Sequence, residues 1–290
     1  MKEPIPQTKR KVSAPRPSDL VSLLTDNDEC IASLSMEQLL LAGDCKPLIA
    51  EHQDTADPLL RRRIHQLSAI VAHQDLLDKA VFEFEQGRLD AWNFALMLDR
   101  LYDPKSSRHF LQEIAREFFA DFFPRGGVTL EQIADYMRLR KLAVPRPPWL
   151  NVGLFLIGDV LENSQGAPIL LAILARQLAQ MHGALLTICL HGGRVTLMDS
   201  NSNILDPMDN WQFTANLPQN QFHLCTNQEL IRILLAQLLA SSMVAWECFD
   251  THLFFSVIRR LDHLNGQPLP YPFGDFAAPE GAVPTAEPQQ

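Results

Sequence analysis

The sequence predicts an α+β protein, with a mostly helical N-terminal half, a small antiparallel sheet packed on a central helix, and a C-terminal helix or helices. Three observations carry this reading. Apolar residues recur at three-to-four spacing through much of residues 59 to 141. The segment from Ile169 to Leu178 is apolar around most of its circumference, as in a helix packed on several sides. Apolar and alternating runs suited to strands are confined to residues 184 to 206.

Residues 1 to 18 read as an extended basic leader. Lys2, Lys9, Arg10, Lys11 and Arg16 stand against Glu3, and four prolines fix φ where there is little apolar surface to bury. Residues 19 to 143 form the helical region. Leu59, Ile64, Leu67, Ile70 and Val71, then Leu76, Leu77, Val81 and Phe84, predict one amphipathic helix or two. Further helices are expected at 89 to 100, 107 to 122 and 129 to 141. The last opens on Thr129-Leu-Glu-Gln132, a capping box in which the hydroxyl accepts an orphan N–H and the glutamine reaches back. Three prolines in Val144-Pro-Arg-Pro-Pro-Trp149 interrupt any helix, so a hinge or domain seam is placed there.

Residues 144 to 215 make the core segment. A helix over about 150 to 162 leads to a Gln165-Gly-Ala-Pro168 turn and the central helix over about 168 to 181. Ala184 to Leu190 reads as a buried strand, His191-Gly192-Gly193 as a hairpin turn, Arg194 to Asp199 as an alternating strand, and Asn203 to Asp206 as a third. Residues 216 to 265 supply C-terminal helical structure, one bent helix or two, opening on a second capping box, Thr226-Asn-Gln-Glu229. The Pro-, Ala- and Gly-rich stretch from 266 to 290 reads as a disordered tail.

Of 290 residues, 47% are apolar and 20% charged, the composition of a soluble globular protein with enough chain for a core that needs no cross-links. The leader carries +4, which leaves −13 on the other 272 residues against a whole-chain −9. That balance argues against nucleic-acid binding, since counterion release rewards clustered Lys and Arg. Five cysteines, at 30, 45, 189, 225 and 248, form no CxxC pair and suit free thiols in a reducing compartment. With no apolar stretch after the leader's charges, a secretory signal is not expected, and the cytoplasm is the expected location. The longest uncharged apolar stretches, Gln177 to Leu190 and Ile233 to Trp246, stop at 14 residues, short of the roughly 20 a membrane span needs.

The order helix, strand, turn, strand, Asp-Pro carries a family likeness. Glu162-Asn-Ser-Gln-Gly166-Ala-Pro168 leads into the central helix, and Ile204-Leu-Asp206-Pro-Met-Asp-Asn210 closes the strands. This arrangement resembles the core of the transglutaminase-like superfamily, specifically its bacterial SirB branch, over about residues 60 to 215. The resemblance implies a thiol nucleophile at the start of the central helix, a histidine on a following strand and an aspartate after it. Matching Gly166 and Ala172 to the superfamily's Gly-x-Cys-x-x-x-Ala puts Pro168 in the nucleophile position and Arg194 near the histidine position, leaving Asp206 in the acidic one. Proline has no attacking atom, and arginine stays charged and makes a poor base at neutral pH. The chain also departs from the branch in Ser164 and Gln165, where an Arg-Arg is usual, and in Leu170, where a serine is usual.

From these residues the expected function is that of a non-catalytic transglutaminase-like protein. It would act through a protein partner, as a regulator or assembly factor, with no catalytic residue, cofactor or metal. Two alternatives stay open. Cys189 and His191, two apart on one strand, leave the same face and with Asp206 or Asp199 would suit a thiol hydrolase or acyl transferase, or a partial metal site. The region beside Gly166 to Pro168 would suit a small-ligand sensor. His65 and His73 are eight apart, too far for a two-histidine clasp, and HExxH, Walker A, GxGxxG and GxSxG patterns are absent. Arg61-Arg62-Arg63 fits surface ion pairs or an acidic partner, and Phe118, Phe119, Phe122 and Phe123 fit core packing or a partner groove.

Overall fold

The computed structural model describes residues 16–43, 45–103, 107–124, 126–146, 151–218 and 221–263. Most of the expected leader, the Pro147–Trp149 end of the proline break and the Pro-rich tail lie outside the described residues. The chain divides into two compact units, Met1–Leu76 and Leu77–Gln290.

The first unit is helical. It contains α1 (Pro17–Leu23), α2 (Glu29–Ala42), α3 (Lys46–His52) and the first turns of α4 (Pro58–Glu85). Asp28 caps α2 through the Cys30 N–H, and Asp57 caps α4 through the N–H groups of Leu59 and Leu60. Leu20, Leu24, Leu39, Cys45, Ile64 and Leu67 pack into one apolar cluster. Arg63 lies inside this unit, 1% exposed, with Nη1 donating to the carbonyls of Leu24 and Asp26 at 2.6 Å each and Nη2 3.4 Å from Glu29. The arginine triplet is therefore split. Arg62 makes the expected surface pair with Glu29, whereas Arg63 is a buried donor to the carbonyls of the turn that follows α1.

Residues 58 to 85 form a single helix, which decides the one-or-two alternative. In the second unit, α5 (Ala91–Tyr102) is capped by Asp90, α6 (Arg108–Ala120) by Ser107, and α7 (Leu130–Leu139) by the Thr129/Gln132 box. The helix expected over 150 to 162 is replaced by a 3₁₀ turn at Val152–Phe155 followed by α8 (Ile157–Asn163), because Leu156 adopts extended backbone between them. The proline break falls inside this unit. Ala143 bridges Gln165, donating to the Ser164 carbonyl and accepting from the Gly166 N–H.

The central helix α9 (Pro168–Met181) has ten buried residues and packs against β1 (Thr187–His191) and β2 (Arg194–Met198). The sheet continues with β3 (Ile204–Asp206), β4 (Gln212–Thr214) and β5 (Phe222–Leu224), in the order β4-β3-β2-β1-β5, with every pair antiparallel. His191 belongs to β1, paired with Arg194. The hairpin turn is the two residues Gly192 and Gly193, both at positive φ (53° and 77°), as a tight hairpin with right-handed strand twist requires. Strands β4 and β5 have no counterpart in the sequence reading. Each is three residues long, below the length at which alternation is visible. The C-terminal stretch is two helices, α10 (Asn227–Val244), opened by the Thr226/Glu229 box, and α11 (Cys248–His263). No helix among the described residues is long and apolar enough to cross a membrane.

Candidate functional site

Residues 166 to 170, at the start of α9, are all buried. Pro168 is the first helical residue, where its missing N–H matters least and its fixed φ suits the helix, and it is buried. Gly166 is buried for a steric reason. A Cβ there would lie 2.9 Å from Leu171 Cδ2 and 3.0 Å from Val160 Cγ1, and the Ala167 N–H donates to the Leu154 carbonyl at 2.7 Å. Leu170 is likewise buried. In the region considered above for a small ligand, the Leu171 and Val160 side chains stand against Gly166.

Arg194 and Asp206 meet. Arg194 Nη1 lies 3.3 Å from Asp206 Oδ2, while Asp206 Oδ1 accepts from the Met208 N–H at 2.8 Å. One carboxylate oxygen is thus committed to an ion pair and the other to capping the 3₁₀ turn Pro207–Asp209.

Strand alternation then separates the slots. Cys189, Met198 and Ile204 form a small apolar cluster covered by Leu217 and Phe222. The alternate residues Ile188, Leu197 and Leu205, all 0% exposed, therefore face α9. Parity puts His191, Arg194 and Asp206 on the Cys189 face, away from α9.

The Cys189 thiol is fully buried. Its Sγ lies 3.1 Å from Thr196 Oγ1, its partner in register on β2, and burial pushes its pKa upward. This is a thiol held neutral, the opposite of the exposed, electropositive setting that makes a thiolate nucleophile. Cys225 is also buried, with its thiol pushed up to about 11 by burial and then by Glu229. His191 is half-buried and pairs in register with Arg194 and Phe222. Asp199 is occupied in its own turn, accepting from the Asn201 and Asn203 N–H groups. No group of three or more His, Cys, Asp or Glu suited to a metal ion is found among the described residues.

Two features escape the sequence reading. A cleft of about 650 Å³ is lined by Asp99, Tyr102, Phe110, Leu156, Asp159 and Glu162, among others. Asp99 is 5% exposed and caps α8 from a different helix, accepting from the Ile157 N–H at 2.8 Å and the Gly158 N–H at 3.0 Å. Burial, and to a lesser degree the Asp159 charge, raise its pKa from 3.8 to about 6 against those two hydrogen bonds. The available signal was a carboxylate directly after the apolar run Phe94 to Leu98. The second is Trp211, fully buried at φ 59°, whose indole N–H donates to the Leu142 carbonyl at 2.7 Å. Arg138 donates to the Trp211 and Asn210 carbonyls, so this indole ties the end of α7 to the sheet.

Comparison with family models, curated proteins and solved structures gives no match for this chain.

Proposed function

We propose that this chain is a transglutaminase-like scaffold of the SirB type without its reagent, acting in the cytoplasm through a protein partner as a regulator or assembly factor. The observation that supports this reading is the helix start. Pro168 stands where the superfamily's thiol would sit, buried at the first turn of α9, with a glycine before it that close packing demands. The neighbouring slot residues support it too, since Arg194 and Asp206 neutralise each other and Asp206 serves as a turn cap.

The test is thiol reactivity in the native full-length chain. With a small electrophile at neutral pH, the exposed Cys30 and Cys248 are expected to label, and Cys189 to label only after denaturation. Cys189→Ser in the native cell should leave the phenotype and the co-purifying partner unchanged. Rapid labelling of native Cys189, or a substrate-derived acyl adduct on it, would overturn the non-catalytic reading in favour of the thiol enzyme.

A further inference from the structure

The first unit carries an open groove of about 630 Å³. Pro17, Val21 and Thr25, four apart, line it from the first turn of α1 to the turn beyond its end. Leu39 of α2, Glu51 of α3 and Leu60 of α4 add to its wall. The volume is that of a cleft able to hold a ligand or a short stretch of chain.

The polypeptide enters the unit at one end of this groove. Arg16, extended at φ −71° and ψ 148°, leads directly into the lining residue Pro17, so the residues before it are tethered beside the groove. A short tether holds its segment at an effective concentration on the order of millimolar, so even a contact of modest affinity is filled. Pro17 to Thr25 covers about 12 Å at the helical rise of about 1.5 Å per residue. Four extended residues cover a similar distance, at about 3.3 Å each. Arg10 to Ser13 supply those four, and Ala14 and Pro15 supply the reversal of direction.

Charge selects the same segment. Residues 17 to 76 carry ten Asp and Glu against four Lys and Arg, a net −6, whereas residues 1 to 16 carry a net +4. The groove lining includes Glu51, with His52 next to it, and neither Lys nor Arg. Lys46 is bonded to Asp75, and Arg62 and Arg63 to Glu29, while Glu51 makes no ion pair among the described residues. Arg10 and Val12 are two apart, so in extended chain they leave one face. Apart from alanine and proline, Val12 is the one aliphatic side chain between Gln7 and Arg16.

We propose that Arg10 to Ser13 of this chain's own leader lie extended along the groove, with Val12 on the Leu39 and Leu60 surface and Arg10 against Glu51. The leader is then a strap over a site whose chemistry, apolar surface beside a carboxylate, fits an extended basic peptide. The inference is independent of the transglutaminase-like reading, because it uses only the first unit.

A small diazirine side chain at position 12 of the full-length chain tests it. Irradiation should give crosslinks within one copy, to peptides carrying residues 21–25, 39–51 or 60. Tryptic cleavage after Lys9, Arg10 and Lys11, taken relative to a free peptide of the same leader sequence, should be several-fold faster in Val12→Asp and in Glu51→Lys than in wild type, with circular dichroism unchanged. High salt should bring wild type toward the variants. Charge reversal is decisive: Arg10→Glu should speed relative cleavage at Lys9 and Lys11, and adding Glu51→Arg should slow it again. Crosslinks to anything other than those peptides of the same copy, relative cleavage that neither Val12→Asp nor Glu51→Lys alters, or a double reversal that stays as fast as Arg10→Glu alone would each overturn the proposal.

Discussion

Asp99 sets a pH dependence whose sign can be worked out from the structure. Its carboxyl is raised from 3.8 to about 6, chiefly by burial, so the folded state binds this proton more tightly than the unfolded state does. Its contribution to stability is therefore fullest below about pH 4 and declines as the pH rises through about 6, because unfolding then releases a buried charge into water. The gap between 3.8 and about 6 corresponds to about 3 kcal/mol. With 5% of the residue exposed, solvent screening takes little from that figure. Asp99→Asn removes the charge but also replaces one acceptor oxygen with an NH₂. Ile157 and Gly158 donate to different carboxylate oxygens, so one of the two N–H groups loses its partner, at a cost of about 1–3 kcal/mol. The expected result is a variant that is less stable at acid pH and loses the decline between about pH 4 and 7 that wild type shows. Urea unfolding of both proteins across that range, followed by circular dichroism, provides the comparison. Asp159 and Asp250 are raised in the same direction and remain in both chains, so the difference between the two profiles reports Asp99 together with its smaller coupling to Asp159. Parallel profiles for wild type and variant would refute the assignment of the charge penalty to this residue.

Gly166→Ala should destabilise the fold by about 1–3 kcal/mol, since its methyl group would overlap the branched ends of Leu171 and Val160 in a packed core; thermal unfolding would show the loss, and an unchanged midpoint would mean that α8 and α9 can part without penalty. Arg63→Met keeps the buried stem but leaves the Leu24 and Asp26 carbonyls without their donor, at about 1–3 kcal/mol. Hydrogen exchange should then accelerate in α1 and α2, and protection equal to wild type would show that water replaces the guanidinium without loss.

The helices are legible in the sequence because their signals are local. Thr129 with Gln132, and Thr226 with Glu229, form the capping boxes their spacing implies, and Ile64, Leu67, Leu77 and Phe84, members of the three-to-four recurrence over α4, are buried. Elements set by distant partners are less legible. The three residues of β4 and of β5 become strands only because β3 and β1 present open edges to them. Leu156 takes extended backbone between the 3₁₀ turn and α8, and the carboxylate that caps α8 stands 58 positions earlier at Asp99. No window along the chain contains that pairing. Arg63 is similar, reading as one member of a surface triplet until the carbonyls at the end of α1 are seen to point at it.

At the candidate site, spacing carries half of the information. A separation of two on a strand correctly puts Cys189 and His191 on one face, but which face meets the central helix is decided by the elements that cover the other side. Leu217 and Phe222 cover the Cys189 face, and Ile188, Leu197 and Leu205 turn toward α9. A nucleophile at a helix start and a base on a strand act together only if the strand side chain points at the helix. Arg194, two residues before Thr196 and in register with His191, has the parity of the far face. A histidine in its place would therefore point away from Pro168, and the same parity aims Asp206 at Arg194 rather than at the helix start. In the proposed transglutaminase-like reading, the absence of a reagent at Pro168 and the misalignment of the strand residues are thus separate features. A thiol placed at position 168 would be buried at the first turn of α9, and the histidine whose parity is that of the covered face, His223, is exposed and bonded to Glu229.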